Sequence, residues 1–93
     1  MSEYVTVEAD PTDDPDVMEI IVNQTLTDEE AEVYQDADEG DVGSPIAQML
    51  FNGVNGIEAL TIMPDTLIIR RDPTVAWEEI IDEVRDALRD FFL

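Results

Sequence analysis

Residues 57–71 read IEALTIMPDTLIIRR, and this stretch decides the fold. Two strand-forming runs, Ile57–Met63 and Leu67–Arg71, flank Pro64–Asp65. Pro presets the backbone angle needed early in a tight turn, so the segment predicts a β-hairpin. Its strands alternate, which leaves one face in need of a cover. The cover follows in the chain. Trp77, Ile80, Ile81, Val84, Leu88 and Phe91 recur at helical spacing and form one apolar stripe. Glu78, Glu79, Asp82, Glu83, Asp86 and Asp90 take the other side. Asp72 or Thr74 is placed to cap this helix, with Pro73 near its start. Trp77, on the stripe, is expected in the core.

Working back from the hairpin, Ser44–Pro45 marks a second helix. Ser caps the first free amides, and Pro suits the first helical position, where its missing N–H costs nothing. Ile46, Met49 and Leu50 share one face, and Asn52–Gly53 ends the helix, with Gly expected in the left-handed region. Val17–Val22 (VMEIIV) reads as a well-buried strand, and alternation over residues 4–9 predicts another. Between them, residues 10–16 (DPTDDPD) form a turn-rich connector. Residues 27–36 stay open. Thr27 before Asp28, Glu29 and Glu30 looks like a helix start, and Ala31–Gln35 suits a short strand equally well. Residues 36–43 (DADEGDVG) read as a flexible acidic loop.

The chain has 93 residues, the size of one small domain. Its 24 Asp and Glu face 4 Arg and no Lys, a formal net charge of −20. Cys and His are absent. That excludes a disulfide framework, a thiolate or imidazole metal site, and Cys or Ser–His–Asp nucleophile machinery. The charge has the wrong sign for phosphate backbones or anionic lipid. The aliphatic residues sit in compact periodic blocks, so the acidity marks a folded domain rather than a disordered one. No apolar run nears the ~20 residues of a bilayer span, and the first residues, MSEYVTVEAD, lack the pattern of a signal peptide. A cytoplasmic location is the expectation. Adaptation to molar salt explains most of the carboxylates, because screening there removes their repulsion. The rival reading is an acidic protein that imitates nucleic-acid charge.

Residue clusters that invite chemistry dissolve on inspection. Counted from Asp36, a calcium loop would need Gly at position 6 and Glu at position 12, where this chain has Asp41 and Ala47. Carboxylate pairs are unavoidable at this density, and none sits in a legible apolar pocket where burial would split their pKa values. Trp77 is a core residue by its position, or else a partly exposed anchor of the kind interfaces favour. Arg70–Arg71 is the one basic cluster. The two point to opposite faces of a strand. They either pair with nearby Asp72 and Glu58 or offer a positive handle to an acidic partner.

Taken in order, these signatures resemble the N-terminal domain of Nfu/NifU-type iron–sulfur cluster scaffold proteins. The resemblance rests on a Pro-bracketed turn between two strands, then Ser44–Pro45–Ile46–Ala47 with Leu50–Phe51, then Gly53–Val54–Asn55–Gly56–Ile57. Pro64–Asp65 with Leu67–Ile68–Ile69 follows, and last Trp77 opening a helix that closes on Asp90–Phe91–Phe92. It spans about residues 4–92. The family's Thr-Pro-Asn-Pro turn is longer and more acidic here, Glu19 replaces a basic residue common in the second strand, and Thr66 replaces a Phe. Arg71 matches a basic position after the hairpin. The family's cluster chemistry belongs to a separate Cys-x-x-Cys domain. The resemblance therefore implies a place near iron–sulfur assembly, without thiolate ligation by this chain. It also implies that Ala31–Gln35 is a strand.

The expected fold is α+β: two layers, with a mostly antiparallel sheet of about four to five strands and helices over residues 44–52 and 77–92 on one face. Residues 1–93 are expected to form one domain of this type, with no C-terminal Cys-x-x-Cys domain. The expected function is a non-catalytic docking module of iron–sulfur cluster assembly. Its partner would be a cluster carrier, an apo-target or a Cys-bearing scaffold domain, and neither nucleic acid nor membrane. The alternatives are an acidic nucleic-acid mimic or inhibitor, and a weak carboxylate metal-binding domain. Pro11, Pro15, Arg70, Arg71 and Trp77 are the expected partner contacts. No catalytic residue, metal ligand or cofactor is expected.

Overall fold

Alternation places Met18, Ile20, Val22, Leu60, Ile62, Leu67 and Ile69 on one side of their strands, and all seven are buried. The computed structural model describes residues 5–92. In it, β1 (Val7–Pro11), β2 (Val17–Val22), β3 (Glu32–Tyr34), β4 (Ile57–Ile62) and β5 (Thr66–Arg71) form one antiparallel sheet in the order β1-β2-β5-β4-β3. The register sets Ile20 and Ile62 opposite Leu67, and Met18 and Leu60 opposite Ile69. One face is thus continuously apolar. Helices α2 (Pro45–Gly53) and α3 (Trp77–Phe91) lie on it, and a short α1 (Ala37–Asp41) precedes α2. Ile46, Ala47 and Leu50 of α2 and Ile80, Val84 and Leu88 of α3 close the core. The fold is α+β, as expected; Tyr4 of the expected first strand lies outside the described residues.

The α2 cap is as the sequence predicts: Ser44 Oγ accepts from Ala47 N at 3.3 Å, with Pro45 at the first position. Four details differ. The first is that β1 runs Val7–Pro11, into the expected connector, where alternation predicts residues 4–9. Pairing with β2 extends it to Pro11, opposite Met18. Helix α2 runs through Gly53, and the left-handed backbone falls at Gly56 instead, at φ 102°. The α3 cap is Ala76, with no side-chain bond. Asp72 Oδ1 accepts from the Thr74 amide and hydroxyl, which hold its carboxyl below the ordinary value and shape the preceding turn. Residues 32–34 are a strand, as the family resemblance implies, because pairing with β4 outweighs their weak local preference. Residues 37–41, expected as loop, are helical. Asp36 accepts from Glu39 N at 2.9 Å, and Glu39 accepts in turn from Gln35 N at 2.8 Å, a variant of the capping box.

Gly40 in α1 is buried because the Phe51 ring lies where its Cβ would be. Phe51 in turn stands edge-on to Tyr34 at 6.4 Å. Gly40→Ala raises helix propensity by up to about 1 kcal/mol yet forces that ring aside. A net loss of about 1–2 kcal/mol is expected, since overpacking costs about 1–3. Thermal unfolding in molar KCl would read it; a variant that melts higher than the parent would show the contact to be slack.

Candidate functional site

Antiparallel pairing of β2 with β5 sets Val17 opposite Arg70, so the β1–β2 turn lies beside the end of β5. All five expected contact residues therefore collect at one end of the sheet. Pro11 ends β1, Pro15 lies in the turn, Arg70 and Arg71 end β5, and Trp77 opens α3. The turn is self-bonded: Thr12 Oγ1 accepts from Asp14 N at 3.1 Å and donates to Val17 O at 2.9 Å. Asp14 Oδ1 accepts from Asp16 N at 2.9 Å. That amide holds the Asp14 carboxyl below its ordinary value; desolvation opposes the shift and Arg70 adds to it.

The arginines pair with this turn rather than with Asp72 and Glu58, because sheet pairing brings residues over fifty positions apart into reach. Arg70 Nη2 meets Asp14 Oδ2 at 3.3 Å with both side chains about half exposed. Arg71 Nε meets Asp16 Oδ1 at 3.2 Å, its Nη1 donates to Val75 O at 3.3 Å, and its guanidinium lies 5.1 Å from the Trp77 ring centroid. Arg71 is thus committed internally, and Arg70 keeps the more open position. Trp77 is only half-buried. Its Nε1 donates to Pro15 O at 2.8 Å, a bond that holds the indole at the rim of the core instead of inside it. The fully buried part of the α3 stripe begins at Ile80. Nothing local marks Asp14, Asp16 and Val75 as partners, beyond the Asx-turn character of residues 12–16.

Trp77→Phe keeps an aromatic ring, smaller than the indole, and removes this bond. A loss of about 1 kcal/mol is expected, as for a typical hydrogen bond, which lowers the melting temperature by about 4–8 °C. Circular dichroism in molar KCl measures it. A loss above about 3 kcal/mol would mean that the indole is a core group after all.

Among the described residues no polar or charged side chain is buried, so no carboxylate there has the desolvated setting that general acid–base work needs. The larger depressions, about 460 Å³ beside residues 51–57 and about 310 Å³ between α2 and α3, are open surface grooves. In the first, Glu83 accepts from Asn55 N at 2.8 Å and ties the loop to α3. Among the described residues no acidic group is arranged to hold a metal ion, and no helix is long and apolar enough to cross a membrane. Carboxylates stand on both faces of the molecule, on every element except α2 and β5. The row Glu78, Asp82, Asp86 and Asp90 on α3 is interrupted by Arg85 and Arg89.

The fold is a small α+β unit, one face of a five-stranded antiparallel sheet covered by helices, with the five expected contact residues at one end of the sheet. Residues 7–93 match the family described as scaffold protein Nfu/NifU N terminal, and the chain belongs to that family. Membership connects it with iron–sulfur cluster scaffolding, in a family of scaffolds that are not, as a rule, enzymes. Among solved structures it is similar to a NifU-like protein from Saccharomyces cerevisiae, at 24% identity and a TM-score of 0.75 over 94% of this chain and 77% of that one. It is also similar to a Staphylococcus aureus protein in its crystal structure, at 14% identity and a TM-score of 0.70 over 92% and 99%. At these identities the structural likeness speaks to the fold. No curated protein matches the sequence.

Proposed function

We propose that the domain is a non-catalytic docking module of iron–sulfur cluster assembly, acting in the cytoplasm through protein contacts. The observation that carries this reading is a scaffold-family fold on a chain with no Cys and no His. Its oxygen ligands are hard donors, poorly matched to iron–sulfur centres. The thiolates then come from the partner: a cluster carrier, an apo-target or a Cys-bearing scaffold domain. The exposed Pro11, Pro15 and Arg70, with the rim of Trp77, are the contact corner, and Arg71 positions the indole. Anaerobic reconstitution with iron and sulfide, followed by desalting, should leave this chain colourless, while affinity isolation in molar KCl should recover Cys-bearing iron–sulfur proteins. Recovery should fall with Arg70→Glu. A stoichiometric coloured cluster on the chain alone would overturn the reading.

A further inference from the structure

The second face of the sheet has no layer over it among the described residues. Register places Val33, Thr61, Ile68, Glu19 and Asp10 side by side in one row across all five strands. The row is apolar or neutral over β3, β4 and β5 and acidic over β2 and β1. A neighbouring row repeats this, with Thr66 and Ile21 leading to Glu8. Val33 is 60% exposed and Ile21 40%, high values for large aliphatic side chains in a sheet. Ala59 is the small residue in the remaining row, opposite Arg70 with Val17 beyond it, and a shallow depression of about 200 Å³ opens there, lined also by Thr61 and Ile68.

We propose that this face is the docking surface for a basic amphipathic helix of a partner protein. Size and charge select that occupant. Five strands at about 4.8 Å spacing and about five residues long give roughly 400 Å². That is about half of the ~800 Å² per partner in a stable protein–protein interface, too little for a second copy of this chain. It accommodates a helix of three or four turns, about 16–22 Å long and about 10 Å across, with room for the helix's flanking side chains. A second copy would also bring the same acidic edge and no cation except Arg70, which Asp14 already holds. A helix with aliphatic residues on one stripe would set one of them over Ala59, and its flanking Lys or Arg would meet Glu8, Asp10 and Glu19. The proposal rests on the sheet face alone, so it stands or falls whatever cluster chemistry the partner carries.

The test uses isotope-labelled protein in about 1 M KCl, where long-range attraction to any cation is screened. The probe is a Leu/Lys peptide of about 18 residues with Leu at helical spacing, long enough to be helical. Its control is a peptide of the same composition in scrambled order. The striped peptide should move the backbone amide signals of Val33, Thr61, Ile68 and Ile21, and the scrambled one should not. Val33→Asp, at an exposed edge where folding is safe, should weaken binding about tenfold or more, and Glu19→Lys should weaken it as well. Signals that move on α2 and α3 instead, or equal binding by the scrambled peptide, would overturn the proposal. So would a dimer in sedimentation that Val33→Asp dissolves, since the occupant would then be a second copy.

Discussion

The melting temperature is expected to rise by more than about 15 °C between about 10 mM and 2 M KCl, with tertiary signal largely lost at the low end. A net charge of −20 sits on a domain whose described core is sixteen apolar residues. No charge is buried, and among the described residues three ion pairs engage Arg70, Arg71 and Arg85. The repulsion therefore lies at the surface, within reach of ions. The Debye length falls from about 10 Å at 0.1 M to about 3 Å at 1 M, so added salt removes the repulsion while leaving the core untouched. Small domains hold about 5–15 kcal/mol in all, and each kcal/mol moves the melting temperature of a chain this size by about 4–8 °C. A few kcal/mol of relieved repulsion give the stated rise. KCl and NaCl should act alike at equal ionic strength. A melting temperature constant within about 2 °C across that range would show that the carboxylates do not strain the fold.

Leu50→Ala should cost about 2–5 kcal/mol and raise the salt needed for folding. Leu50 is fully buried on α2, which packs against α1, α3 and β4. Its truncation opens a cavity where three helices meet the sheet, and it leaves the backbone bond from Val54 N to Leu50 O in place. Urea unfolding in about 2 M KCl measures the loss, and the salt midpoint without urea should shift upward in the same variant. Ile68→Ala on the uncovered face should cost far less, because its side chain is only half-buried. Equal losses for the two would mean that the uncovered face carries as much of the stability as the core.

What the sequence disclosed follows from the range of the forces involved. The hairpin, the α3 stripe and the Ser44–Pro45 cap are set by neighbours within a few residues, and all were legible. The partners of Arg70 and Arg71 were not, because Asp14 and Asp16 reach them only after β2 pairs with β5. Trp77 was placed on the core stripe correctly but too deep, since the Pro15 carbonyl that holds its indole at the rim is 62 positions away. Gly40 falls in the segment expected as a loop and is instead a close approach to Phe51. The Asp36 and Glu39 spacing that starts α1 was present to be read, hidden by the acidic residues around it. The five expected contact residues were named one by one, but that all five lie at one end of the sheet is a product of strand order.

Strand order also bears on how the chain is made. The central strand, β5, is the last of the five to be synthesised. Until residues 66–71 leave the ribosome, β2 and β4 share no neighbour, and Ile20, Val22, Leu60 and Ile62 have no finished surface to pack against. The β2–β5 pairing that joins the two halves is then long-range, the kind that forms slowly. An incomplete chain of this sort exposes apolar strands to its neighbours on the same message. Its dense carboxylates keep it hydrated through that interval, and the arrival of β5 and then α3 joins and covers both halves at once.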